Sequence, residues 1–199
     1  MVLEFLRGDL QGFLRLKESK LEVRHIKLLA RQMFEGLDYL HSNNVIHRDM
    51  KGANLLITER GELKIADFGL AREKDGREGY QYTNRVVTMW YRCPELLLGS
   101  TRYGGEIDVW SAGCILAEMY LHTALFPGTD ELTQLTAVVS ILGPPPASAL
   151  PTLMKYEWYQ FLNPNQCYPR VFERVMSDAK FVPECWREAQ SHPARTAVE

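Results

Sequence analysis

His47-Arg48-Asp49-Met50-Lys51-Gly52-Ala53-Asn54 is the stretch on which the reading of this chain turns. It has the form H-R-D-x-x-x-x-N, and Asp67-Phe68-Gly69 follows it. The residue types suit phosphoryl transfer, which needs an oriented hydroxyl, metal ions on the phosphates and positive charge around the transferred group. Asp49 can accept a hydroxyl proton, and Lys51 can reach a transferred phosphate. Asn54 and Asp67 offer an amide oxygen and a carboxylate, hard ligands that magnesium ions can share. Alone, H-R-D is a polar turn after a helix, and D-F-G is equally cheap. The weight lies in their order, in the placing of Asn54 and in Pro94-Glu95 further on.

Composition narrows the class. The 199 residues are 46% apolar and 24% charged, an ordinary globular mix with room for one good-sized domain or two small ones. A net charge of −2 argues against a dominant nucleic-acid surface, and no direct nucleic-acid partner is expected. Cys93, Cys114, Cys167 and Cys185 form no C-x-x-C pair and no metal-ligand spacing, which suggests reduced thiols in an intracellular compartment. No apolar run is long enough to span a bilayer, so no membrane partner is expected. Met1 to Leu6 lacks the basic start of a signal peptide.

Outward from the loop, hydrophobic periodicity sets the elements. Met1 to Leu6 reads as a buried strand broken by Arg7-Gly8-Asp9, with Asp9 capping a short helix through Leu16. Backbone groups near Glu4 and Leu6 are either a plain strand end or free to bond a ligand. Val23, Ile26, Leu29, Met33, Leu37 and Leu40 predict an amphipathic helix over about 21–42. Leu55-Leu56-Ile57 and Leu63-Lys64-Ile65 flank a glycine-containing turn, a hairpin that sets Asn54 and Asp67 at neighbouring strand ends and Leu56 on the floor of a cleft. Gly69 to Pro94 is a long polar loop pinned at its aromatic exit, Trp90-Tyr91-Arg92. A helix over about 106–121 is apolar nearly all round and should be central; Asp108 near its start either complements the helix dipole or accepts bonds from the loop at His47–Asn54. Another helix spans 130–142 and stops at Gly143-Pro144-Pro145-Pro146. Tyr156 to Phe161 is an aromatic cluster that can pack on the domain, and 177–199 has no clear core face.

His47–Asn54, Asp67–Arg72 and Tyr82–Leu98 together resemble a eukaryotic Ser/Thr protein kinase of the cyclin-dependent group, and Tyr103–Gly113 and Ala124–Gly128 continue the match. The wording is nearest the subgroup that phosphorylates the RNA polymerase II C-terminal domain. Where the family has A-P-E, this chain has Cys93-Pro94-Glu95. The resemblance implies a mainly α, kinase-like C-terminal lobe with a small β-hairpin at the catalytic loop, the N-terminal β lobe being absent. Residues 1–175 would be the hinge and C-lobe of the catalytic domain and 176–199 a divergent tail. It also implies ATP and magnesium as cofactors, a cyclin partner engaged mostly through the N-lobe, protein substrates with Ser/Thr-Pro sites, and a nuclear location.

By resemblance, Asp49, Lys51 and Asn54 are catalytic, and Asn54 and Asp67 hold the metal. Glu4, Leu6, Asp9, Leu56 and Asp67 border the nucleotide. Thr83 is the activating phosphosite, received by Arg48 and Arg72. Val87 and Arg92 shape the pocket for the substrate proline: Val87 is expected in a strained backbone conformation, with its carbonyl turned to Arg92. The 199 residues contain no G-x-G-x-x-G and no matching strand lysine, so on their own they are expected to be inactive. Arg195 is a candidate partner for Glu95. Two other functions compete: a non-catalytic C-lobe used as a protein-binding module, and a small-molecule phosphotransferase of kinase-like fold. The segment with Arg92 and Glu95 disfavours the latter, and intact Asp49, Lys51, Asn54 and Asp67 disfavour a purpose-built pseudokinase.

Overall fold

The computed structural model describes residues 6, 8–16, 21–77, 80–145 and 171–178. Helices dominate them. In chain order the elements are β1 (Gly8–Asp9), α1 (Leu10–Arg15), α2 (Val23–Ser42), β2 (Val45–Ile46), β3 (Leu55–Ile57), β4 (Leu63–Ile65), β5 (Arg72–Glu73), α3 (Pro94–Leu97), α4 (Glu106–Leu121), α5 (Glu131–Leu142) and α6 (Phe172–Asp178).

The core is built around α2 and α4. From α2, Ile26, Leu29, Met33 and Leu37 are buried, the stripe that the periodicity marked. From α4, Ile107, Ala112, Ile115 and Met119 are buried, and Asp108 and Ser111 are also fully enclosed. This helix is central, as expected, though Val109 on its outer side is half-exposed. The α2 helix begins at Val23 rather than at Leu21, because Glu22 is extended and offers no side-chain cap.

Two small sheets position the site. β3 and β4 form the expected hairpin, Leu55 opposite Ile65 and Ile57 opposite Leu63. On the free edge of β3, Gly8 and Asp9 pair antiparallel with Ile57 and Leu56. The segment read from sequence as a break is therefore partly a strand. Asp9 is also the helix cap of α1, accepting from Gly12 N–H at 2.7 Å. The strand expected at residues 1–6 lies outside the described residues except for Leu6, which is half-buried. β2 pairs with β5, Val45 opposite Glu73 and Ile46 opposite Arg72, so the long loop begins with a strand that periodicity did not reveal.

The loop exit is pinned by Tyr91, which is buried and donates its hydroxyl to Glu118 at 2.7 Å. Burial pushes the Tyr91 phenol upward, and the Glu118 carboxylate adds to the shift. α5 carries a capping box, with Asp130 and Thr133 each bonding the other's backbone N–H, and it ends at Gly143 with φ 83°. The α6 helix crosses the tail boundary placed at 175/176. The aromatic cluster at 156–161 and Arg195 lie outside the described residues.

Candidate active site

The loop between β2 and β3 is held by one buried carboxylate. Asp108 Oδ2 accepts from His47 N–H and from His41 Nε2, both at 2.9 Å, and its Oδ1 accepts from Arg48 N–H at 2.8 Å. Of its two sequence readings, acceptor for this loop is therefore the one observed. Arg48 sits at φ 66°, a conformation costly for a side chain with a Cβ and sustained here by those bonds. His47 Nε2 donates to Ala66 O at 3.0 Å, and its Nδ1 accepts from Asp49 N–H at 3.3 Å. The ring thus ties the loop to the backbone entering Asp67-Phe68-Gly69, and Phe68 meets it edge-on at 5.0 Å.

The Asp49 carboxylate is the hub of the site. Lys51 Nζ donates to its Oδ2 at 2.6 Å, and Asn54 Nδ2 reaches the same atom at 3.2 Å. Thr88 donates to Oδ1 from its N–H at 3.2 Å and from its hydroxyl at 2.9 Å. These donors fix the carboxylate plane, and side-chain exposure is only 10% for Asp49 and 26% for Lys51. Thr88 is a site residue that sequence reasoning missed.

The metal question can be put to the donor atoms. Asn54 Nδ2 is committed to Asp49 O at 2.8 Å, which leaves the amide oxygen as a free hard acceptor. Asp67 stands at φ 63°, and its carboxylate accepts one long bond, 3.4 Å, from Gly69 N–H. Ala66 N–H donates to Asn54 O at 2.9 Å, so the two candidate ligands are anchored across one backbone bond. An amide oxygen and a lightly engaged carboxylate fit magnesium, which keeps waters and takes few protein ligands. Asp67 is exposed, and so are Phe68 and Leu70 beside it.

The remaining expected residues fall in three places. Leu56 is half-buried on β3 beside Asp9, while Glu4 lies outside the described residues. Arg48 Nε donates to Leu70 O at 2.7 Å and Nη1 to the Tyr103 hydroxyl at 3.1 Å. Arg72 is exposed and donates to Ala71 O. Thr83 is exposed, and among the described residues no hydrogen bond joins its hydroxyl to Arg48 or Arg72.

Val87 is at φ 64°, and it is buried. Arg92 Nε donates to Val86 O at 3.0 Å and Nη2 to Val87 O at 3.2 Å, while Nη1 pairs with Glu131 of α5 at 3.3 Å. Glu131 is a further residue that the sequence did not flag.

The sequence model of the protein kinase domain matches residues 1–171. CTD kinase subunit alpha of Saccharomyces cerevisiae is 46% identical over 166 residues, which is 83% of this chain and 31% of that protein. Cyclin-dependent kinase 9-B of Xenopus laevis is 45% identical over 186 residues, 92% of this chain and 50% of that protein. Among solved structures, the yeast RNA Pol II CTD kinase CTDK-1 complex superposes with a TM-score of 0.84 at 42% identity, covering 94% of this chain and 61% of that one. The chain spans about a third to a half of the length of these curated relatives.

Proposed function

The chain belongs to the protein kinase domain family, and from that premise we propose that it is the catalytic C-lobe portion of a cyclin-dependent Ser/Thr kinase acting on Ser/Thr-Pro sites of proteins, the RNA polymerase II C-terminal domain among them. ATP is the phosphate donor in this reading, a cyclin the activating partner and the nucleus the place of action. Magnesium, when bound, neutralises charge on the phosphates. Asn54 Oδ1 and the Asp67 carboxylate would hold it, with Leu6, Asp9 and Leu56 bordering the nucleotide and Glu4 added by resemblance. Asp49 orients the substrate hydroxyl and takes its proton, and Lys51 is near enough to follow the transferred group. Thr83 is the phosphosite that Arg48 and Arg72 would receive.

The observation that carries the substrate reading is the backbone at Val87. A β-branched residue with positive φ is a genuine outlier. Arg92 offsets the strain by bonding the Val87 carbonyl, which is thereby taken from the groove. A substrate residue with a free N–H then finds no acceptor there. Proline has no N–H and loses nothing. A stranded donor costs about 1–3 kcal/mol, which corresponds to roughly 5- to 150-fold discrimination.

The test is a peptide panel presented to a full-length chimera. In it, residues 1–199 replace the matching region of the Saccharomyces cerevisiae CTD kinase subunit alpha, assembled with the other subunits of that kinase. Ser-Pro peptides should be phosphorylated at least about 5-fold better than Ser-Ala peptides. Equal rates would end the proposal.

A further inference from the structure

Tyr103 lies in the connection between α3 and α4, 20 residues after Thr83 and 55 after Arg48, yet its hydroxyl stands between the two. Tyr103 Oη accepts from Arg48 Nη1 at 3.1 Å and donates to the backbone carbonyl of Thr83 at 2.5 Å. The side chain is 8% exposed. Its ring lies against that of Tyr82, centroids 5.1 Å apart and planes tilted by 33°. Tyr82 N–H donates to Thr101 O at 2.7 Å, so backbone, ring and hydroxyl join residues 82–83 to 101–103. Tyr82 in turn holds the earlier loop: its hydroxyl accepts from Asp75 N–H at 2.6 Å.

We propose that Tyr103 is a positioning residue whose hydroxyl ties the Thr83 backbone to the Arg48 guanidinium, holding this part of the loop on the catalytic loop before any phosphate is added. The stereochemistry is complete at that oxygen: its one proton goes to Thr83, and a lone pair receives Arg48. Arg48 is already fixed by Asp108 through its backbone and by Leu70 through Nε, so the bridge ends on a rigid support. The Thr83 side chain remains exposed and modifiable while its backbone is held. A phosphate arriving on Thr83 would then find one arginine placed in advance, which lowers the ordering cost of the modified loop. That last consequence rests on the reading of Thr83 given above; the bridge itself does not.

Hydrogen exchange on the 199-residue chain tests it, comparing the parent with Tyr103→Phe and Tyr103→Leu. Phenylalanine keeps the ring packing and removes only the bridge. Amides of 83–86 should exchange about 2- to 10-fold faster in Tyr103→Phe, the range for loss of one ordinary hydrogen bond, with α4 unchanged. Parent-like exchange in Tyr103→Phe together with faster exchange in Tyr103→Leu would reduce the residue to a packing role and overturn the proposal. Faster exchange throughout α4 in Tyr103→Phe would overturn it too. A chimera whose activity does not rise on phosphorylation of Thr83 would instead refute the Thr83 reading, leaving the exchange result to decide the bridge.

Discussion

At the scale of single residues, the site works by commitment of donors and acceptors. Asp49 has four N–H and O–H donors on two oxygens, and Arg92 spends three N–H groups on three separate acceptors. Such groups have one geometry available, which is what phosphoryl transfer asks of them. Cysteines show the opposite use of burial. Cys93 and Cys114 are free thiols, 1% and 4% exposed, and removal from water pushes both upward, Cys114 to about 12, with Glu118 adding to that shift. A raised pKa leaves almost no thiolate at pH 8, and the thiolate is the nucleophile. Peptide mapping after iodoacetamide treatment of the folded chain at pH 8 should find both unmodified until denaturant is added. Rapid alkylation of either in the native chain would contradict this environment.

At the scale of elements, α4 supports the His47–Asn54 loop through Asp108. Asp108→Ala would strand the N–H groups of His47 and Arg48 in a buried setting. At about 1–3 kcal/mol for each of the two stranded donors, the loss of stability should be about 2–6 kcal/mol in a urea melt. A loss below about 1 kcal/mol would mean that the loop has other support. How much of this was legible in sequence follows from how each element is encoded. α2, α4, α5 and the β3–β4 hairpin were readable because their apolar spacing is set by the core they face. β1 and β5 were not: each is two residues long, too short to show alternation, and each exists by pairing with a distant edge. The site divides in the same way. Asp49, Asn54 and Asp67 stand in compact motifs. Thr88 and Glu131 reach their partners across 39 residues and Tyr103 reaches Arg48 across 55, and no local spacing announces such approaches. Asp108 stood out as a carboxylate near the start of a largely apolar helix, but the residues alone left it two roles, and the family resemblance rather than spacing pointed to the loop.

At the scale of the whole molecule, the Asp49 carboxylate is enclosed while Asp67-Phe68-Gly69 stands in water. Phe68 and Leu70 are 47% and 42% exposed, and Asp67 is exposed between β4 and that turn. Charge interactions in high dielectric are weak, so residues 1–199 alone should not bind ATP with micromolar affinity in a calorimetric titration with magnesium; a micromolar dissociation constant would contradict this. No helix among the described residues is long and apolar enough to cross a membrane. The proposed reaction centres on the Asp49 carboxylate, which Lys51, Asn54 and Thr88 hold and which would receive the proton of a substrate hydroxyl. The most direct test is the single-turnover rate on a Ser-Pro peptide for the chimeric kinase and its Asp49→Asn form. Asparagine keeps the shape and removes the proton acceptor, though its NH₂ must face donors that the carboxylate accepted, so the rate, read at a temperature where both forms are folded, should fall by about 10²–10⁴-fold; equal rates in parent and variant would contradict the account.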